Sequence, residues 1–244
     1  MSKCTKPFTP KGRKSLPTEF VQFWRHLVYS EGTKTEPYYI EDIKKCISKK
    51  YNCNPNEIEI IPVNKNGKSY STIGLVEYAE NDVKKRLKTK EIINHIWIFF
   101  DKDEFSQDDF NNAHKIICSK NNSNKKNIDG FNFEKETSIT WHSCWSNEAF
   151  ELWLCLYFNY LEAKMNRKQY IEKINNVPEL RKIGFNYEKN LENIHTTLIK
   201  HGGSLKNAIK FSKRLNSNNL IYNPSTGVYQ FAEFFYKYLE ENCR

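Results

Sequence analysis

Two stretches of this chain end in the same way, and that shared ending constrains its fold more than any other feature. Residues 23–29 form an apolar run that stops abruptly at Ser30-Glu31-Gly32, and residues 92–100 form a strongly apolar run that stops at Asp101-Lys102-Asp103-Glu104. Short apolar runs bounded by polar turns read as strands. Between them, Tyr39, Ile43, Cys46 and Ile47 give residues 38–50 the spacing of a helix. Residues 58–63 read as a second strand, 64–71 as a polar loop, 72–90 as a long amphipathic helix and 108–119 as another helix. Residues 121–127 form an Asn- and Lys-rich loop, and 138–142 read as a further strand. Strands alternating with helices require crossovers, which make a parallel or mixed sheet. Beyond residue 147 the pattern becomes mainly helical, over 148–162, 167–175, 187–200, 204–215 and 228–241. The expected organisation is a flexible basic arm (1–20), an α/β domain (21–146), and a mainly helical C-terminal region (147–244) packed on it.

Composition agrees with a packed, water-soluble chain. Hydrophobic residues make up 39% and aromatics 14%, enough for a real core, and no apolar run is long enough to span a bilayer. The basic N-terminus lacks an apolar h-region, so no signal peptide is expected and the cytoplasm is the default location. The seven cysteines include no C-x-x-C pair, which argues for free thiols rather than a metal-thiolate site. The net charge of +9 favours a polyanionic partner, because each Lys or Arg near a phosphate releases condensed counterions. Solvated surface lysines are the plainer explanation of the same number.

The two acidic endings lie just past the carboxyl ends of hydrophobic strands, the edge where open α/β sheets bind ligands. If the strands are neighbours, Glu31, Asp101 and Asp103 converge, and a hard divalent cation would relieve their repulsion. In extended backbone, residues i and i+2 face the same side, so Asp101 and Asp103 can address one cation. Mg²⁺ or Mn²⁺ held by Asp101 and Asp103, with Glu31 as third ligand or, better placed, as general acid or base, suits phosphodiester chemistry. Gly32 permits a tight turn, and Lys34 can meet a phosphate or a leaving oxygen. Against this stands the plainer reading, in which acids after a strand simply cap a helix or lie in solvent.

At these residues the chain resembles a known family. Glu31-Gly32-Thr33-Lys34-Thr35-Glu36-Pro37-Tyr38-Tyr39 resembles the E-G-x-x-T-E-x-x-Y opening of RloB-like proteins, and Asp101-Lys102-Asp103 resembles the D-x-D after their next long apolar strand. Ser146-Asn147-Glu148-Ala149-Phe150-Glu151-Leu152-Trp153 resembles their S-N-P-x-F-E-x-W block, with Glu148 where the family has proline. Asn223-Pro224-Ser225-Thr226 resembles their N-P-S-T element. The resemblance implies a TOPRIM-like site, a Mg²⁺-dependent nuclease activity, and a role in bacterial antiphage or abortive-infection systems alongside an AAA- or ABC-type ATPase that restrains the toxin. Related TOPRIM effectors attack tRNA, so RNA stands beside DNA as a candidate substrate. An oligomer is compatible with the sequence.

Further candidates follow from spacing. If a helix starts near Asn147, Asn147 and Glu151 share a face at i and i+4. Asn147 then serves equally as cap or site residue, and Glu151, a carboxylate among Phe150, Leu152, Trp153 and Leu154, needs a partner. Lys206, Lys210 and Arg214 form an i, i+4, i+8 stripe that, with Lys189, can follow a phosphate backbone. A solvated helix face is the default for such a stripe. His142 between Trp141 and Trp145 reads as part of a buried aromatic cluster rather than as a base-stacking platform. The sequence thus leads to a metal-dependent endonuclease in which Glu31, Lys34 and Glu151 carry the chemistry. The alternative is a non-catalytic nucleic-acid-binding or regulatory subunit of an ATPase complex. Phosphotransfer to a nucleotide ranks below both.

Overall fold

The computed structural model describes residues 25–50, 57–65, 68–103, 105–123, 139–216 and 222–239. The basic arm (1–20), Glu104 and the Asn/Lys loop beyond residue 123 lie outside these residues. The core of the fold is one mixed sheet built from β1 (His26–Ser30), β2 (Ile58–Pro62), β5 (His95–Asp101), β6 (Thr140–Asn147) and β7 (Ser225–Thr226), in the order β2-β1-β5-β6-β7. The first four strands are parallel and β7 runs antiparallel against β6. All seven residues of β5 are buried, as a central parallel strand covered on both faces must be.

Alternation along the strands divides the core in two. Val28, Trp97 and Phe99 face α1 (Thr35–Lys50), α4 (Glu151–Cys155), α5 (Arg167–Asn175), α7 (Ile194–Lys200), α8 (Leu205–Leu215) and α9 (Tyr229–Leu239). Leu27, Tyr29, Ile96, Ile98 and Phe100 face α2 (Thr72–Lys88) and α3 (Gln107–Ser123). A short helix, α6 (Pro178–Arg181), completes the chain order after α5. On the first face His142 stacks on Trp97 with ring centroids 3.7 Å apart and lies 3.1 Å from His95, so it does join an aromatic cluster, but not with Trp141 and Trp145, which alternation along β6 sends to the opposite face. Caps set several helix starts: Ser71 accepts from the Gly74 amide, and Asn166 and Gln169 form a reciprocal capping box that makes Arg167 the first residue of α5.

Several boundaries differ from the sequence reading. The polar stretch 64–71 contains a small hairpin, β3 (Asn64–Lys65) and β4 (Lys68–Ser69). The helix expected over 148–162 shrinks to the five residues of α4, because β6 continues to Asn147, which pairs with Ser225. Asn147 is therefore the last residue of a strand, neither a helix cap nor an i, i+4 partner of Glu151. The helix expected over 187–200 begins only at Ile194, after Asn193 in the left-handed region.

The sheet places the site. The chain passes from β1 to β2 on one side, then returns across β1 to β5 on the other, so the strand order reverses between β1 and β5. The crevice at the carboxyl ends of two strands flanking such a reversal is where α/β sheets bind ligands.

Candidate functional site

Glu31 follows β1 directly, and its backbone amide donates to the Phe99 carbonyl at 3.1 Å, extending the ladder to β5. Asp101 is the last residue of β5 and Asp103 lies two residues on, so the two acidic endings do meet. Asp103 reaches the cluster by a route other than the extended backbone expected: its φ is 38°, in the left-handed region that Asp tolerates better than most residues. The Asp103 amide donates to Glu148 O and the Lys102 amide to Ser146 O, which hold this turn against the end of β6.

A cavity of about 260 Å³ opens at this edge, lined by Glu31, Glu36, Asp101, Asp103 and Glu151 and by the basic Lys34, Lys189 and Arg167. Of the residues singled out from sequence, Glu31, Lys34, Asp101, Asp103, Glu151 and Lys189 all border it. Lys206, Lys210 and Arg214 do not. Lys206 and Lys210 lie on the exposed face of α8, and Arg214 pairs with Glu162 and sits 4.2 Å over the Tyr160 ring.

The residue the sequence did not flag is Arg167. One guanidinium nitrogen stands 2.8 Å from Asp101 Oδ2 and 2.8 Å from Asp103 Oδ2, and its Nε is 3.3 Å from Glu151 Oε2. Although burial disfavours its charged form, the carboxylates outweigh that cost and hold its proton more tightly than usual. Glu151, 2% exposed, also accepts from the Tyr187 hydroxyl at 3.2 Å, so the partner its apolar setting demanded is present twice over. Asp101 accepts from the Phe150 amide at the start of α4 at 3.1 Å. Glu36 is the second missed residue. It stands in the first turn of α1, which begins at Thr35 rather than at residue 38, and it is 6% exposed. A Cβ on Gly32 would come within 2.2 Å of Glu36 Oε2, so the glycine leaves room for that carboxylate where it stands.

The N-P-S-T element has a visible purpose. Asn223 donates to Met165 O at 2.9 Å and accepts from the Met165 amide at 3.4 Å and the Tyr170 hydroxyl at 3.2 Å. It thereby clamps the turn immediately before Arg167, while Ser225 and Thr226 form β7 beside the end of β6. Gly227 permits this contact, since a Cβ there would lie 2.4 Å from the Trp145 ring and 2.7 Å from Ser143 O.

Acid crowding shows in the protonation equilibria. Burial, then Glu36 and Asp103, push Glu31 up to about 7. Burial likewise pushes Glu36 up to about 7, and burial with Glu36 raises Asp101 well above the usual carboxylate range. Glu31 Oε2 is buried without a hydrogen-bond partner. A hard divalent cation fits this set of oxygen donors, and Asp101, Asp103 and Glu31 are the residues that would hold it. Among the described residues no three Asp, Glu, His or Cys side chains stand ready to coordinate a metal as they are placed. Arg167 lies among the carboxylates that would have to do so.

A family model described as RloB-like protein matches residues 26–234. No curated protein and no solved structure matches the chain. No helix among the described residues is long and apolar enough to cross a membrane.

Proposed function

Since the chain belongs to the RloB-like family, we propose that it is a metal-dependent, TOPRIM-like nuclease cutting RNA or DNA. The observation that carries this reading is the convergence of five carboxylates from separate parts of the chain on one cavity at the strand-order reversal, with three basic side chains on the same walls. Acidic residues alone would repel a polyanion, and basic residues alone would only bind it. The combination suits a phosphodiester brought to a cation.

Asp101 and Asp103, with Glu31, are the proposed ligands of Mg²⁺ or Mn²⁺. When bound, the cation would polarise the phosphodiester and acidify a water molecule. Glu31 Oε2, the atom without a partner, is the proposed proton acceptor or donor. Lys34 and Lys189 neutralise the incoming phosphates, and Glu151 accepts from Tyr187 and pairs with Arg167 at the cavity wall. Lys206, Lys210 and Arg214 extend the nucleic-acid track away from the cavity. The resemblance to antiphage effectors supports action in the bacterial cytoplasm, with RNA (tRNA included) and DNA as substrate classes of equal standing and a neighbouring AAA- or ABC-type ATPase as restraint.

Inducible expression of wild type, Glu31→Gln and Asp103→Ala in a bacterial host, with total RNA and DNA resolved on gels, tests this. Growth arrest with discrete fragments, lost in both variants, is the expected result. Fragments that persist in both variants would remove the acidic cluster from the chemistry. The second reading, a non-catalytic nucleic-acid-binding subunit of an ATPase complex, draws on Arg167. Carboxylates already paired with a guanidinium can hold a fold without any metal ion, and toxicity that survives both substitutions would favour it.

A further inference from the structure

Three carboxylates, one from the end of β5, one from the turn after it and one from α4, share the guanidinium of Arg167. This is the only basic side chain paired with any of the five cavity acids among the described residues. Glu36, 94% buried on the same walls, is ion-paired with no basic side chain among the described residues, so the cluster remains short of positive charge. The backbone that carries the guanidinium is fixed. Asn166 and Gln169 cap α5 directly beneath it, and Asn223 clamps Met165 just before it. Only its side chain, 28% exposed and facing the cavity, is free to swing.

We propose that Arg167 is the resting counter-cation of the acidic cluster, a latch that a divalent cation must displace from Asp101 and Asp103 before the site is competent. This rests on the nuclease reading for its purpose, but its physical content is a competition between two cations for the same oxygens. A guanidinium 2.8 Å from both Oδ2 atoms blocks a metal sterically and opposes it electrostatically. The device keeps the site silent at low divalent concentration, and anything that draws Arg167 outward, such as a substrate phosphate, opens it.

The test is Mn²⁺ binding to the full chain, followed by the loss of the free-ion paramagnetic signal, for wild type, Arg167→Gln and Arg167→Lys. Removing the latch should tighten Mn²⁺ binding by about ten-fold or more, with Arg167→Lys in between, since an ammonium keeps the charge but not the three-way fork. Arg167→Gln leaves buried acids unpaired, so it should melt earlier than wild type without metal and regain the loss in Mn²⁺. A merely structural arginine would give the opposite pattern, with weaker or unchanged Mn²⁺ binding and a loss of melting temperature that the ion does not repair. That result, or no Mn²⁺ binding by either variant, overturns the latch. The two proposals fail separately. Wild type that cuts nucleic acid in Mn²⁺ while Arg167→Gln binds the ion no more tightly sinks the latch alone. Tighter binding without cleavage in any form sinks the nuclease alone.

Discussion

Replacing His195 should change how the stability of this chain responds to acid. His195 is fully buried, with Nδ1 2.7 Å from the Tyr157 hydroxyl, which in turn lies 2.8 Å from the Tyr39 hydroxyl. Its Nε2 is buried without a hydrogen-bond partner. Protonation would put a proton on both ring nitrogens, and Nε2 has nothing to donate to. Burial therefore lowers its pKa to about 4, against a partial counter-pull from Asp42. A histidine depressed in the folded state contributes stability that is complete above its unfolded value near 6.5. That stability is lost as pH falls from there toward 4. Between pH 7.5 and pH 5.0 the loss from this one residue comes to about 2 kcal/mol, a sizeable share of the total for a domain. Glu31 and Glu36, raised to about 7, work in the opposite sense, because acid stabilises the fold through them between about 7 and their unfolded value near 4.5. The wild-type curve alone mixes these contributions, whereas the difference between wild type and His195→Gln cancels everything but His195. Urea unfolding followed by tryptophan fluorescence at both pH values gives that difference directly. His195→Gln should lose about 2 kcal/mol less than wild type over the interval. Equal losses in the two proteins would refute the argument that burial and the missing Nε2 partner keep this ring neutral.

Three further outcomes follow from the geometry. Gly227→Ala forces a methyl against the Trp145 ring and Ser143 O, and should cost about 1–3 kcal/mol as overpacking against the end of β6, read as a lowered melting temperature. Lys189→Ala removes one cavity-wall cation, so the salt dependence of nucleic-acid binding, measured by fluorescence anisotropy across salt concentrations, should flatten by about one unit of slope. Asn223→Ala frees the turn before Arg167, and should weaken the Arg167 contacts and lower the melting temperature by the equivalent of about 1–2 kcal/mol, with circular dichroism otherwise native.

The parts of the site that were legible in the sequence are those written locally. Glu31 and Asp101 each stand at the end of a run of apolar residues, and strand endings are visible without knowing what lies beside them. That β1 and β5 are neighbours was only a condition in the sequence; the register of Tyr29 with Ile98 and Ser30 with Phe99 meets it. Glu151 was identifiable because a carboxylate among large apolar residues must find a partner. The partner itself was not. Arg167 comes from a helix 66 residues beyond Asp101, and no spacing rule connects the two. Glu36 is hidden in the sequence because the apolar periodicity points to a helix from Tyr38 onward, whereas α1 begins at Thr35 and its first turn brings Glu36 to the cavity wall. In the sequence Asn147 reads as a helix residue because the largely apolar residues 149–157 look like one long helical face. In the fold they are a short helix buried on every side, where periodicity loses its meaning. β7 is two residues long and is held in place by side-chain bonds from Thr226 and Ser212, which no pattern of hydrophobicity announces.

The most direct test of the central claim uses the purified full chain, alone and with the proposed ATPase partner, incubated with labelled tRNA and duplex DNA in Mg²⁺, in Mn²⁺ and in chelator. Cleavage of one substrate in either metal, abolished by chelator and reduced at least 100-fold by Asp101→Asn, Asp103→Asn or Glu31→Gln, on the order seen when a group that stabilises the transition state is removed, is the result expected. Intact substrates in both preparations, or cleavage indifferent to all three substitutions, would contradict it.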